Sequence, residues 1–293
     1  MNAHIVEEKY TYLTQPNSHP TTNTQNIDKQ YGVQIKMKKT VIEETVKVNL
    51  KDPVLIEGLP GLGMVGRIAT RHLVNQLKAK PFAKLYSPHF PYYVLVNQKG
   101  SVRLLHCIFS YWKNKTGKHD LIFMAGDSQA QTIEGQYDVA DTILDFAEKH
   151  GVKTIITIGG YRKEAEEKPQ VVAVSTDPAL LSKALKAEAI TSPSGNPIVG
   201  TAGLLLGLAK FRKMSALCLL GETRGYLPDP KAAKGVLAVL QRILKIEIDS
   251  SDIDKEIEKA KKVVERMKKI AKERETHALK TRKIEEGKIT YIS

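Results

Sequence analysis

EGLPGLGMVG, residues 57–66, is the stretch on which the reading of this chain turns. Gly61-Leu62-Gly63-Met64-Val65-Gly66 is a literal G-x-G-x-x-G. Strand-like Pro53-Val54-Leu55-Ile56 leads into it and helix-like Arg67-Ile68-Ala69-Thr70 leads away. Such a strand–turn–helix serves either as a phosphate cradle at a helix N-terminus or as a turn whose glycines let helix and strand approach closely. A dinucleotide site needs a carboxylate roughly 20 residues further on, and no Asp or Glu occurs from Gly58 through His119. No Gly-Lys-Ser/Thr follows either, and Pro60 removes an amide that could have faced a phosphate. What is left is a helix start that can still attract an anion at Gly61, Gly63 and Gly66.

Outward from this turn, apolar runs and helical periods alternate. Val41 to Leu50 alternates as a first strand, and Val65 to Leu77 reads as a helix. Tyr93–Asn97 and Val102–Ser110 flank the hairpin signal Gln98-Lys99-Gly100-Ser101. Asp120–Gly126 is a buried strand followed by a helix through Val139, Ile143, Phe146 and Ala147. Lys153–Ile158 leads to Gly159-Gly160, and Ala216–Leu220 leads to Gly221-Glu222. Val171–Ser175 is a further strand, and Gly200–Lys210 is a helix of small residues. Asp177-Pro178 and Asp229-Pro230 each pair a capping carboxylate with a proline at the first turn, which starts a helix. Continuous apolar strands alternating with helices predict a three-layer α/β/α domain with a largely parallel sheet.

In such sheets a ligand sits beyond the carboxyl ends of the strands. Asp127, Gly159, Gly160, Ser175 and Glu222 fall there, and Asp127, Gly159, Gly160 and Glu222 with Gly61, Gly63 and Gly66 form the candidate anion or ligand pocket. They make no nucleophile–base–orienter set, and the histidines show no metal spacing. No catalytic residue, metal or cofactor is therefore expected, and Asp127 and Glu222 read either as a shared pocket or as separate caps.

The net charge is +13, and residues 58–119 contribute ten Lys or Arg with no acid. That field suits an acidic partner. Nucleic acid is the less favoured choice, because the interleaved Tyr86, Phe90, Tyr92, Tyr93, Tyr111 and Trp112 sit in or beside strands, as core or interface residues do. Cys107 and Cys218 read as buried free thiols of a reducing compartment. Glu7, Glu8 and Lys9 interrupt any leader-like apolar stretch, and no run reaches the roughly 20 residues that span a bilayer. A cytoplasmic protein without a membrane segment is expected.

The chain divides into a polar extension (1–40, expected to be disordered), the α/β domain (41–248), a charged amphipathic helix (250–284) and a flexible tail (285–293). Ser251 and Asp254 read as a capping box. Ile253, Ile257, Ala260, Val264, Met267 and Ala271 follow at heptad spacing. That stripe either packs on its own domain or seeks a partner helix, with Ile253, Ile257, Val264 and Met267 as the contact residues.

Glu57–Gly66, Gly159-Gly160-Tyr161 and Gly221–Pro230 together resemble the proteasome assembly chaperone family, above all its archaeal members, over about residues 50–248. The resemblance implies a nucleoside-phosphorylase-type α/β domain without that enzyme's chemistry. It also implies a homo-oligomer that binds proteasome α-subunits and assists assembly of the core particle. Some members have been labelled ATP-grasp enzymes, so the alternative is a nucleotide-binding enzyme or sensor that uses the Gly61–Gly66 turn. Some archaeal members end in a hydrophobic residue, a tyrosine and any final residue. Here Tyr291 stands third from the end, which leaves Ile289, Tyr291, Ile292 and Ser293 as the candidate tail contact.

Overall fold

Five consecutive buried residues, Val54–Gly58, form the strand β2 on which the rest is assembled. The computed structural model describes residues 38–98, 100–117, 119–163 and 169–266. β2 passes through a 3-10 turn at Leu62–Met64 into helix α1, Val65–Gln76. Parallel to β2 run β7 (Leu121–Gly126) on one side and β8 (Thr154–Arg162) on the other. β11 (Ser215–Thr223) then pairs parallel with β8 along its whole length. These four strands are the parallel centre that the apolar runs predict.

Both flanks extend it. Antiparallel to β7 lies β6 (Cys107–Trp112), then β3 (Lys80–Tyr86), then β1 (Val41–Glu44). Beyond β11 lies antiparallel β9 (Val171–Ser175), with the short β10 (Ile190–Thr191) parallel to it. The nine-stranded order is therefore β1-β3-β6-β7-β2-β8-β11-β9-β10. A separate two-stranded ribbon, β4 (Val94–Val96) and β5 (Val102–Leu104), stands between β3 and β6 in sequence.

Helices cover both faces. α2 (Ile133–Lys149) and α4 (Thr201–Phe211) bury Val139, Ile143, Leu205 and Ala209 against Leu55, Phe109 and Ile155. On the other face α1, α3 (Pro178–Lys186) and α5 (Pro230–Leu244) pack Leu73, Ala184 and Val236 against Ile56, Phe123 and Leu217. The caps act as the sequence indicates. Asp177 accepts from the amides of Ala179 and Leu180, and Asp229 from that of Ala232, each ahead of a first-turn proline. Cys107 and Cys218 are buried and free. Among the described residues no helix is long and apolar enough to cross a membrane.

Several boundaries differ from expectation. The first strand stops at Glu44 rather than Leu50. β3 is a strand that the sequence did not announce. A register shift between Pro81 and Ala83 breaks its alternation, so buried Phe82 and Ala83 are neighbours in the chain. Val102–Ser110 is two strands, because the chain turns at Leu105-His106, where the His106 amide donates to the Asp127 carboxylate. β8 and β11 run through their glycines to Arg162 and Thr223 instead of ending before them. The last helix, α6 (helical over 251–266), is not opened by a Ser251 box. Ser251 donates its amide and hydroxyl to Asp249, two residues upstream.

Candidate functional site

The three glycine motifs, far apart in sequence, meet at the carboxyl ends of β2, β8 and β11. Gly58 ends β2 so close to α1 that a Cβ there would overlap Thr70 and the Gly66 carbonyl. A Cβ on Gly66 would strike the carbonyl oxygen of Ile158 in β8, and one on Gly160 that of Leu62. Gly63 adopts φ 60°, and a Cβ there would lie 2.6 Å from the Thr223 hydroxyl. Glycine is required at Gly58, Gly66 and Gly160 because backbone carbonyls lie against them, and at Gly63 because of its positive φ and the Thr223 side chain above it.

Hydrogen bonds close this knot. The Met64 amide donates to the Gly61 carbonyl at 2.9 Å, and the Asp229 amide to the Gly63 carbonyl at 2.8 Å. The Asp229 carboxylate takes the Thr223 hydroxyl at 2.8 Å while capping α5. On the opposite side Gln129 donates to the Pro60 carbonyl at 2.7 Å and accepts the Thr201 amide at 3.0 Å, which clips the turn to the start of α4. The turn is thus held by chain groups from four other segments, which favours the packing role over the cradle.

Its outer surface carries exposed apolar side chains. Leu62, Met64, Tyr226 and Leu227 are exposed, and the Arg162 guanidinium lies 4.9 Å from the Tyr226 ring centroid. Met64 holds φ 53° without being glycine, a strained conformation of the kind that gathers at functional surfaces.

Of the other candidate residues, Gly61 has room around it, its nearest neighbour being the Gln129 amide at 3.8 Å, and Gly159 abuts Leu220. Asp127 and Glu222 stand on strands three spacings apart, β7 and β11, and each has its own partners. Asp127 takes two hydrogen bonds from Arg103, at 2.6 and 3.1 Å. Burial would lift its pKa, but Arg103 and the His106 amide outweigh that and hold it below the usual carboxylate range. Glu222 is buried against Lys163 at 2.7 Å and the Gln170 amide at 3.1 Å. A cleft of about 770 Å³ opens at the opposite end of the sheet, beside Val54, Leu121, Lys183, Lys186 and Arg242, and none of the candidate pocket residues lines it.

Sequence reasoning passed over Glu57. It is 1% exposed, on the face of β2 that Leu55 and Leu59 share with α2 and α4. One carboxylate oxygen accepts the Leu59 amide at 3.0 Å, and the other has no partner. Burial drives its pKa up to about 8, against the single stabilising amide. Burial chiefly, with the Glu57 charge adding to it, also pushes the Cys107 thiol up and that of Cys218 to about 12. The available signal was a lone acid inside an apolar strand. Gln129, Thr223 and Asp229 were missed as clamps, for their role appears only once three motifs converge.

The heptad residues divide. Ile253 is buried with α1 and α5, where the His72 ring nitrogen lies 2.8 Å from the Asp249 carbonyl oxygen and Lys234 pairs with Asp254. Ile257 and Val264 are half-exposed and join neither core cluster. Met267, Ile289, Tyr291, Ile292 and Ser293 lie outside the described residues.

A family model described as "PAC2 family" matches residues 55–268. Among curated proteins, an uncharacterised protein of Methanocaldococcus jannaschii is 34% identical over 226 residues, 76% of this chain and 86% of that one. The crystal structure of Pyrococcus furiosus PbaB, an archaeal proteasome activator, is similar at 39% identity. Its TM-score is 0.76, and the match covers 79% of this chain and 100% of PbaB. Pyrococcus furiosus PbaA, an archaeal homologue of proteasome-assembly chaperone, shares the fold at 24% identity and TM-score 0.63, over 80% of this chain and 99% of that one.

Proposed function

This chain belongs to the PAC2 family, and on that premise we propose that it is a proteasome-binding factor that acts by contact, not by chemistry. The observation that carries the reading is the 39% identity to PbaB over the whole of that protein, a proteasome activator. The knot supports it. Glycines and backbone bonds occupy the place where an enzyme of this architecture would hold its ligand, while Leu62, Met64 and Tyr226 face outward. A contact surface needs only such side chains on a rigid support.

In this reading the protein engages proteasome α-subunits as a homo-oligomer and assists assembly of the core particle. Residues Ile289, Tyr291, Ile292 and Ser293 are the proposed tail contact, and several tails on one oligomer raise avidity without any new contact. The test is capture of purified proteasome α-subunits by the full chain and by a chain truncated after Lys288. Binding by the full chain and its loss on truncation is the expected result. Equal binding by both would move the contact to the folded domain, and binding by neither would end the reading.

A further inference from the structure

Among the described residues nothing covers the outer face of the β4–β5 ribbon. Register pairs Val94 with Leu104 and Val96 with Val102, so four aliphatic side chains share one face, and all four are exposed. Val96 is 70% and Val102 55% exposed. Tyr92, uncovered by any of the described residues, and Tyr93 adjoin them where the chain enters β4. Together these six residues expose roughly 700 Å², polar atoms included, of the order of the ~800 Å² that each partner contributes to a standard interface.

The opposite face is fastened to the domain. Leu95 packs against the core cluster beneath α2 and α4, and Arg103 is drawn inward onto Asp127. Arg103 is the one charge that the two strands carry, and register places it opposite Leu95 on this inner face. An isolated two-stranded ribbon is marginal in water, and this one is held to its own domain by one side only.

We propose that the outer face of the β4–β5 ribbon is the surface by which this chain binds a second copy of itself. A two-fold contact brings the same patch of both copies together, so a patch carrying charge of a single sign would repel its own copy, whereas an uncharged one does not. An uncharged aliphatic face bordered by tyrosines meets that condition, although the chain around it is strongly basic. The inference deepens the homo-oligomer of the preceding reading by naming its interface.

The test compares full-length wild type with Val96→Glu and Val96→Cys. Mass is followed by sedimentation equilibrium over a hundredfold range of concentration. Wild type should weigh a multiple of 32.6 kDa, and Val96→Glu should weaken association at least a hundredfold with an unchanged circular dichroism spectrum. Because both native thiols are buried, Val96→Cys should give a disulfide-linked dimer with diamide, whereas Val199→Cys, more exposed and elsewhere on the surface, should not. A monomeric wild type would overturn the proposal. So would an oligomer that Val96→Glu leaves intact and Val96→Cys fails to cross-link. An intact Val96→Glu oligomer that no longer captures proteasome subunits would assign the face to the other partner and likewise overturn it. Failure of the functional reading looks different: wild type captures no proteasome subunit, whatever its mass.

Discussion

The glycine knot and the β4–β5 ribbon are both connections carried by one sheet, and they treat their surroundings in opposite ways. In the knot, side chains are removed so that the Gly66, Ile158, Leu62 and Gly160 backbones lie against one another. The ribbon keeps large side chains and sets four aliphatic ones outside. The knot is finished by contacts within the chain. The ribbon is finished on its inner side alone, by Leu95 and by the Arg103–Asp127 pair. A region that is complete alone should respond to substitution through stability, and one that is not should respond through association.

The sharpest way to break that contrast is Gly66→Ala. Its methyl group would meet the Ile158 carbonyl, which as main chain of a central strand cannot step aside. Urea denaturation should show a loss of about 4–5 kcal/mol, or no folded protein. A loss below about 1 kcal/mol would mean that the knot is looser than its geometry.

Next in size is Glu57→Gln, which tests the carboxyl beneath the knot. The folded protein holds the Glu57 proton up to about pH 8, whereas an ordinary glutamate loses it near 4.5. The native state therefore binds more protons than the unfolded chain between those values, and stability falls as pH rises through that window. The Gln variant lacks that slope. Relative to wild type it should gain little near pH 4.5 and about 3–4 kcal/mol by pH 8, from the displacement of the pKa. Parallel stability–pH curves for the two proteins would show that Glu57 finds a partner once ionised.

The smallest effect belongs to the ribbon's tether. Arg103→Ala should cost about 1–2 kcal/mol, since Asp127 keeps the His106 amide and some access to water. Limited proteolysis should nevertheless cut faster between Asn97 and Ser101, because only the inner attachment has been lost. An unchanged cleavage rate would mean that Leu95 suffices to hold the ribbon.

How far the sequence carried this picture depends on whether a feature is local. Asp177-Pro178 and Asp229-Pro230 announce helices α3 and α5, since a cap and its proline act within four residues. β2, β7 and β9 were equally plain as apolar runs. β3 was not, because its register shift at Pro81–Ala83 places two buried side chains side by side and destroys the alternation by which a strand is recognised. The break between β5 and β6 depends on Asp127, more than twenty residues away, and the run of apolar residues gave no sign of it. At the site, the glycines were visible as a motif, yet the clamps at Gln129, Thr223 and Asp229 exist only after four segments have come together. Glu57 stood in the quoted motif throughout. Its character comes from helices laid over it, and no spacing encodes that.

The docking of Ile253 has a consequence for reach. The first turn of α6 is moored to α1 and α5, whereas Ile257 and Val264 join neither core cluster. From residue 253 to 266 the helix advances about 20 Å at 1.5 Å per residue. A rod fixed at its root delivers whatever follows to a defined radius and bearing. Wherever several copies assemble, the position of residue 266 in each is then set by where its mooring lies, about 20 Å away.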